Sequence, residues 1–174
     1  MQHFIEKAKR IRLLILDVDG VLTSGNLNYT KEAIHYKSFH VHDGLGIKLL
    51  QKTGVQVGII TTCHSDIIKK RAQDLGIQHV YQGHENKMLP YQELKQKLNF
   101  EDQETAYVGD DLPDLPLIRR AGLGITVANA PLILHQQAAY VSKATGGFGA
   151  VREICELIMQ AQGTYSGIIE SYLQ

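Results

Sequence analysis

The stretch Leu13-Leu-Ile-Leu-Asp-Val-Asp-Gly-Val-Leu-Thr23 closes an apolar run with two acids two residues apart. A carboxylate at the end of a buried strand is costly unless a charge or a metal offsets its lost hydration. Asp17 and Asp19 therefore ask for a cation, a phosphate, or both. Three further groups could answer them: Thr61-Thr62 after the apolar run Val55–Ile60, Lys87 after Gln82-Gly-His-Glu-Asn86, and the acid cluster Gly109-Asp-Asp-Leu-Pro-Asp114. Carboxylates with waters suit a hard cation such as Mg²⁺, which is held by one or two carboxylates and phosphate oxygens. With such a cation and Lys87 reducing repulsion, an ionised Asp17 can attack phosphorus directly, while Asp19 protonates the leaving oxygen and then activates water. Each item alone has an ordinary explanation, because a lone DxD can close a turn, an acid can cap a helix and a lysine is usually solvated. Their succession is what carries weight.

To converge, these residues need a common edge. Short apolar runs at Leu13–Leu16, Val55–Ile60, Ala106–Val108 and Leu123–Val127, with shorter ones at His79–Tyr81 and Tyr140–Val141, read as strands buried on both faces. Helical spacing separates them at Leu45–Leu50, Ile67–Leu75, Met88–Leu98, Leu115–Ala121 and Pro131–Ala138, and a last amphipathic helix spans Val151–Gln162. The alternation predicts an α/β fold, a doubly wound (Rossmann-like) parallel sheet whose ligand lies beyond the carboxyl ends of the strands. Residues 25–40 break the rhythm with alternating polar and apolar positions around a polar turn, the pattern of a projecting β-hairpin. Residues 164–174 form a tail, loosely held or reaching a neighbouring subunit.

Composition narrows the partners. The 174 residues fit a single domain over 1–174. Eighteen basic residues balance eighteen acidic ones, which argues against nucleic acid and for a small ligand. Two distant cysteines suit a reducing, cytoplasmic setting, and no apolar stretch approaches the ~20 residues of a membrane span. His40, His42 and Asp43 form a minor zinc-site alternative without a further Cys or His at metal-site spacing. A phosphorylatable receiver domain also offers paired acids, Thr and Lys, but carries its phosphoacceptor on a mid-chain strand. A binding module without turnover is a third alternative.

Taken in order, Asp17-Val-Asp-Gly-Val-Leu-Thr23, Ile59-Ile-Thr61, Lys87 and Gly109-Asp-Asp-Leu-Pro-Asp114 resemble the four motifs of the haloacid dehalogenase superfamily. The resemblance implies a nucleophile at Asp17, an acid/base at Asp19, and Thr61 and Lys87 holding the phosphoryl group. It implies Mg²⁺ on the Asp17 side chain, the Asp19 backbone carbonyl and Asp110, with Asp111 or Asp114 behind them. The intervals between motifs leave no room for a cap domain, and in the capless branch this implies a homotetramer whose hairpins and tails complete neighbouring sites. Residues up to about Gly163, including Phe39-His-Val-His-Asp-Gly-Leu-Gly-Ile47 and Gly146-Gly-Phe-Gly-Ala-Val-Arg-Glu153, resemble the branch that dephosphorylates acidic sugars for lipopolysaccharide precursors. A phosphorylated octulosonic acid is the implied substrate, with a phosphorylated nonulosonic acid as the alternative. Thr62, His42, Phe148 and Arg152 are then expected near the sugar. The branch usually has Gly-Arg where this chain has Thr62-Cys63, and often Arg at the positions of His42 and Phe148, so three guanidiniums suited to bidentate anion binding are missing.

Overall fold

A computed structural model describes residues 2–29 and 36–174. Six parallel strands form one sheet: β1 (Leu13–Leu16), β2 (Gln56–Ile60), β3 (His79–Tyr81), β4 (Thr105–Gly109), β5 (Leu123–Thr126) and β6 (Tyr140–Val141), in the spatial order β3-β2-β1-β4-β5-β6. Every residue of β1 is buried, as a central strand covered on both faces requires. The chain order reverses beside β1, so β1 and β4 are neighbours, with Leu16 in register with Val108. The sheet thereby brings the acids that follow these strands side by side at its carboxyl edge.

The flanking helices are α1 (Gln2–Ala8), α2 (Val41–Lys52), α3 (Asp66–Leu75), α4 (Met88–Leu98), α5 (Leu115–Arg120), α6 (Leu132–Gln137), α7 (Ala150–Ala161) and α8 (Tyr165–Glu170). The expected strands and central helices are present, with ends displaced by a few residues. Two helices had no clear sequence signature. α1 is short and mostly polar, yet Phe4 and Ala8 are buried, Phe4 meets the Tyr140 ring at 4.8 Å, and Gln162 donates to the carbonyls of Ala8 and Ile11. α8 lies within the expected tail, where Tyr165 and Ile168 pack on the core.

α2 begins at Val41, four residues before its apolar pattern does, because Gly44 and Gly46 serve packing rather than chain reversal. A Cβ on Gly46 would lie 3.0 Å from the Arg152 Cα, so α2 and α7 approach almost backbone to backbone. Asp43, fully buried, sends its carboxylate to the start of α7 and accepts from the amides of Arg152 (2.8 Å) and Gly149 (3.3 Å). Burial raises the Asp43 pKa, against those amide hydrogen bonds. The His40-His42-Asp43 triplet is thus occupied structurally: Asp43 caps a helix from a distance and His40 stacks edge-on with His42.

The tip of the predicted hairpin, residues 30–35, lies outside the described residues. Its described flanks, 25–29 and 36–40, carry no strand pairing; Asn28 Nδ2 donates to the Tyr36 carbonyl at 3.5 Å, and Arg71 of α3 donates to the His40 carbonyl. Replacing Gly46 with Val should lower unfolding stability by about 1–3 kcal/mol through overpacking between α2 and α7. Urea denaturation with an unchanged m-value would check it; a variant as stable as wild type would show that the helices part freely.

Candidate active site

The carboxyl edge of β1, β2 and β4 forms a pocket of about 250 Å³ lined by Asp17, Asp19, Gly25, Thr61, Thr62, Lys87, Asp110, Asp111, Pro113 and Asp114. Asp17 continues β1, its amide bonded to the Val108 carbonyl. The residue is only 6% exposed. Lys87, at the start of α4 and 3% exposed, places its ammonium 3.0 Å from Asp17 and 2.6 Å from Asp114. Burial alone would favour neutral lysine, but the two carboxylates outweigh it and raise the Lys87 pKa.

The acids of the fourth segment divide their tasks. Asp111 caps a short 3₁₀ turn, Leu112–Asp114, accepting from the Leu112 amide at 2.8 Å. Asp114 turns inward, where its Oδ2 accepts from the amides of Asp110 (3.0 Å) and Asp111 (3.3 Å) and its Oδ1 from Lys87 and the Tyr107 hydroxyl (2.5 Å). Oxygens of Asp17, Asp110 and Asp114 all lie within 4.8 Å of one another, an arrangement that could hold a metal ion. Burial, reinforced by Asp114, pushes Asp17 up to about 7, and the same two causes push Asp110 up to about 7. Acids held so far above the ordinary carboxylate range call for more positive charge than Lys87 supplies. All-oxygen donors around a compact cluster fit a hard divalent cation.

The turn after β1 is shaped for this cluster. Gly20 has φ +90°, and a Cβ there would fall 1.8 Å from an Asp110 carboxylate oxygen. Thr23 Oγ1 accepts from the amides of Gly20 (3.4 Å) and Gly25 (3.2 Å), closing the loop beneath Asp19. Across the sheet edge, Thr61 Oγ1 accepts from the Cys63 amide at 3.2 Å, which leaves its own proton for a ligand oxygen.

Not every expected residue meets here. His42 is exposed on α2, Phe148 is 63% exposed on the glycine loop, and Arg152 is paired with Glu156 at 2.5 Å, so none of the three lines the pocket. One group that the sequence reading did not single out does reach it: Lys37, from the arm after β1, lies 2.5 Å from Asp19. Lys37, Asn28, Tyr36 and His64 line an adjoining cleft of about 270 Å³ that shares Asp19 with the pocket. Lys37 sits in an alternating stretch that reads as one face of a hairpin, which hid it. Tyr107 was hidden in the same way, as one apolar position of a core strand.

Because Asp17 and Asp110 stay protonated to about pH 7 when folded, and to about 4 when unfolded, the metal-free folded protein binds more protons between these values. Its stability should fall as pH rises from 4.5 to 7.5. A divalent cation, which competes with those protons, should raise the unfolding temperature more at pH 8 than at pH 5. Thermal unfolding with and without MgCl₂ at both pH values checks this, and an equal shift at both would contradict it.

Residues 60–154 match the family of haloacid dehalogenase-like hydrolases. The 3-deoxy-D-manno-octulosonate 8-phosphate phosphatase of Salmonella typhi is 44% identical over 161 residues, 92% of this chain and 86% of that protein. The structure of the Moraxella catarrhalis phosphatase of that name, in complex with magnesium, phosphate and KDO, superposes with a TM-score of 0.97 at 42% identity, covering 99% of each chain. The cobalt-bound Haemophilus influenzae deoxy-D-mannose-octulosonate 8-phosphate phosphatase has a TM-score of 0.92 at 38% identity, covering 97% of this chain and 99% of that one. The chain belongs to the haloacid dehalogenase-like hydrolases, within the 3-deoxy-D-manno-octulosonate 8-phosphate phosphatase family.

Proposed function

We propose that this protein is a Mg²⁺-dependent phosphomonoesterase that converts 3-deoxy-D-manno-octulosonate 8-phosphate to the free sugar acid and phosphate, a step in lipopolysaccharide precursor synthesis. The observation that carries the reading is the convergence of Asp17, Lys87, Asp110 and Thr61 on one pocket at the carboxyl edge of the sheet. Its chemistry agrees with that of the magnesium- and phosphate-bound relative.

Asp17 and Asp110 side chains, with the Asp19 backbone carbonyl, would hold Mg²⁺. When bound, the cation lowers the repulsion between these carboxylates and the phosphoryl oxygens. The Asp17 carboxylate attacks phosphorus, the bond from phosphorus to the sugar oxygen breaks, and Asp19 gives its proton to that oxygen. Asp19 then takes a proton from the water that cleaves the aspartyl phosphate, restoring Asp17 and releasing phosphate. Lys87 and Thr61 orient the phosphoryl group, and Asp114 orients Lys87. The adjoining cleft, with Lys37 and His64, receives the sugar.

The chain acts as one capless domain, so its site is open. The exposure of Val41 and Phe148, and the distance of His42, Phe148 and Arg152 from the pocket, support a homotetramer in which neighbours complete the sugar site. We place the enzyme in the cytoplasm; among the described residues no helix is long and apolar enough to cross a membrane. The absence of guanidiniums at residues 42, 63 and 148 favours a second substrate reading, a phosphorylated nonulosonic acid.

A phosphate-release screen across sugar phosphates should show preference for the octulosonate ester, abolished by EDTA and restored by Mg²⁺. Preference for a nonulosonate ester would select the second reading, and uniform activity would remove both. Replacing Asp17 with Asn should lower kcat by about 10³-fold or more while the variant still binds substrate, measured by calorimetry. Retained turnover would exclude Asp17 as nucleophile.

A further inference from the structure

Three carboxylates approach one another closely enough to share a cation, yet they differ in what already occupies them. A carboxylate offers about four acceptor sites. Asp114 has four donors from its own chain: the Asp110 and Asp111 amides on Oδ2, and Lys87 with the Tyr107 hydroxyl on Oδ1. Asp17 accepts from Lys87 and from the Val18 amide, so acceptor capacity remains. Of the four donors to Asp114, two are amides fixed by the turn and one is the ammonium that Asp17 also holds. Tyr107 is the remaining one, and it comes from the rigid centre of β4, fully buried, with its ring among core residues. Burial and the Asp114 charge keep the phenol protonated, hence a donor.

We propose that Tyr107 is a positioning residue that saturates Asp114, reserving it for Lys87 and leaving Asp17 and Asp110 as the carboxylates a cation can take. The inference rests on the reading that this cluster holds a divalent ion. Without the phenol oxygen, one Oδ1 lone pair becomes available beside Asp17 and Asp110. A third carboxylate favours cations that accept more oxygen ligands: Ca²⁺ takes six to eight at flexible geometry, whereas Mg²⁺ keeps a strict octahedron with several waters. Loss of the hydroxyl should therefore shift the cluster from Mg²⁺ towards Ca²⁺, and Lys87 should lose part of its anchor.

The test is calorimetric titration of the full-length protein and Tyr107→Phe with MgCl₂ and with CaCl₂, alongside steady-state kinetics. The expected result is a ratio of Ca²⁺ to Mg²⁺ affinity raised by about five- to tenfold, with kcat lowered by about tenfold. In the double variant Tyr107→Phe/Asp114→Asn the rise should vanish, because the route through Asp114 is gone. An unchanged ratio in Tyr107→Phe, or a rise that survives in the double variant, would overturn the proposal. If Phe is not tolerated at 107, para-fluorophenylalanine keeps the size of the ring without a donor and should shift the ratio in the same direction; no shift there would equally overturn it. Wild-type protein that binds neither ion would instead refute the cation reading itself.

Discussion

Everything at this sheet edge depends on a charge imbalance. Among the described residues, oxygens of Asp17, Asp110 and Asp114 lie within 4.8 Å of one another beside one ammonium, that of Lys87. Burial in a partly dry pocket, reinforced by the charge of Asp114, makes Asp17 and Asp110 hold protons that free carboxylates would have released. A phosphoryl group alone would worsen this excess; a phosphoryl group with a divalent cation relieves it. A divalent cation held by these acids would offset the excess and so let a phosphoryl group approach.

Maintaining such a cluster requires a scaffold that does not yield. The acids follow β1 and β4, the central pair of a sheet buried on both faces, and their separation is fixed by strand register. The turn between Asp17 and Thr23 is pinned by Gly20 against Asp110 and by Thr23 against two amides. From outside, the glycine loop closes on the same turn: Gly147 has φ +73°, a Cβ there would lie 2.4 Å from the Ser24 amide, and its own amide donates to the Val21 carbonyl. That loop leads into α7, whose start is capped by Asp43 of α2. A continuous path of hydrogen bonds and close backbone contacts therefore joins the two buried helices to the acidic turn.

The legible part of the fold was the part in which each residue answers to local pattern. Leu13–Leu16 is apolar throughout because both its faces are covered, and His79–Tyr81 could be placed by the alternation of elements around it. The doubly wound parallel sheet was legible as a class, while the order of its strands is given by the structure. What escaped notice had mixed signals: α1 is mostly polar, and its place is decided by Phe4 and Ala8 against the core and by Gln162. α2 was shortened by its glycines, whose purpose emerges only where Arg152 arrives from more than a hundred residues away. For the site, Asp17, Thr61 and Asp110 announced themselves as polar groups after apolar runs, and Lys87 by its place at a helix start in the order of the motifs. Lys37 and Tyr107 could not, since one lies in an arm of alternating polarity and the other inside a strand, and each gains meaning only from the acid opposite it.

The same contrast separates catalytic chemistry from substrate selection. Asp17, Thr61 and Asp110 follow strands of one sheet and Lys87 starts α4, so a single chain assembles the pocket and one sequence reveals it. The residues proposed to select the sugar lie on an arm, a loop and helix surfaces, where changes cost the fold little. Cys63, His42 and Phe148 stand at such positions, and none touches the acid cluster. Substrate preference can therefore drift at this rim while Asp17, Lys87 and Asp114 stay tied together, because removing Lys87 leaves two buried acids without their cation and removing either acid takes one of two partners from a buried ammonium.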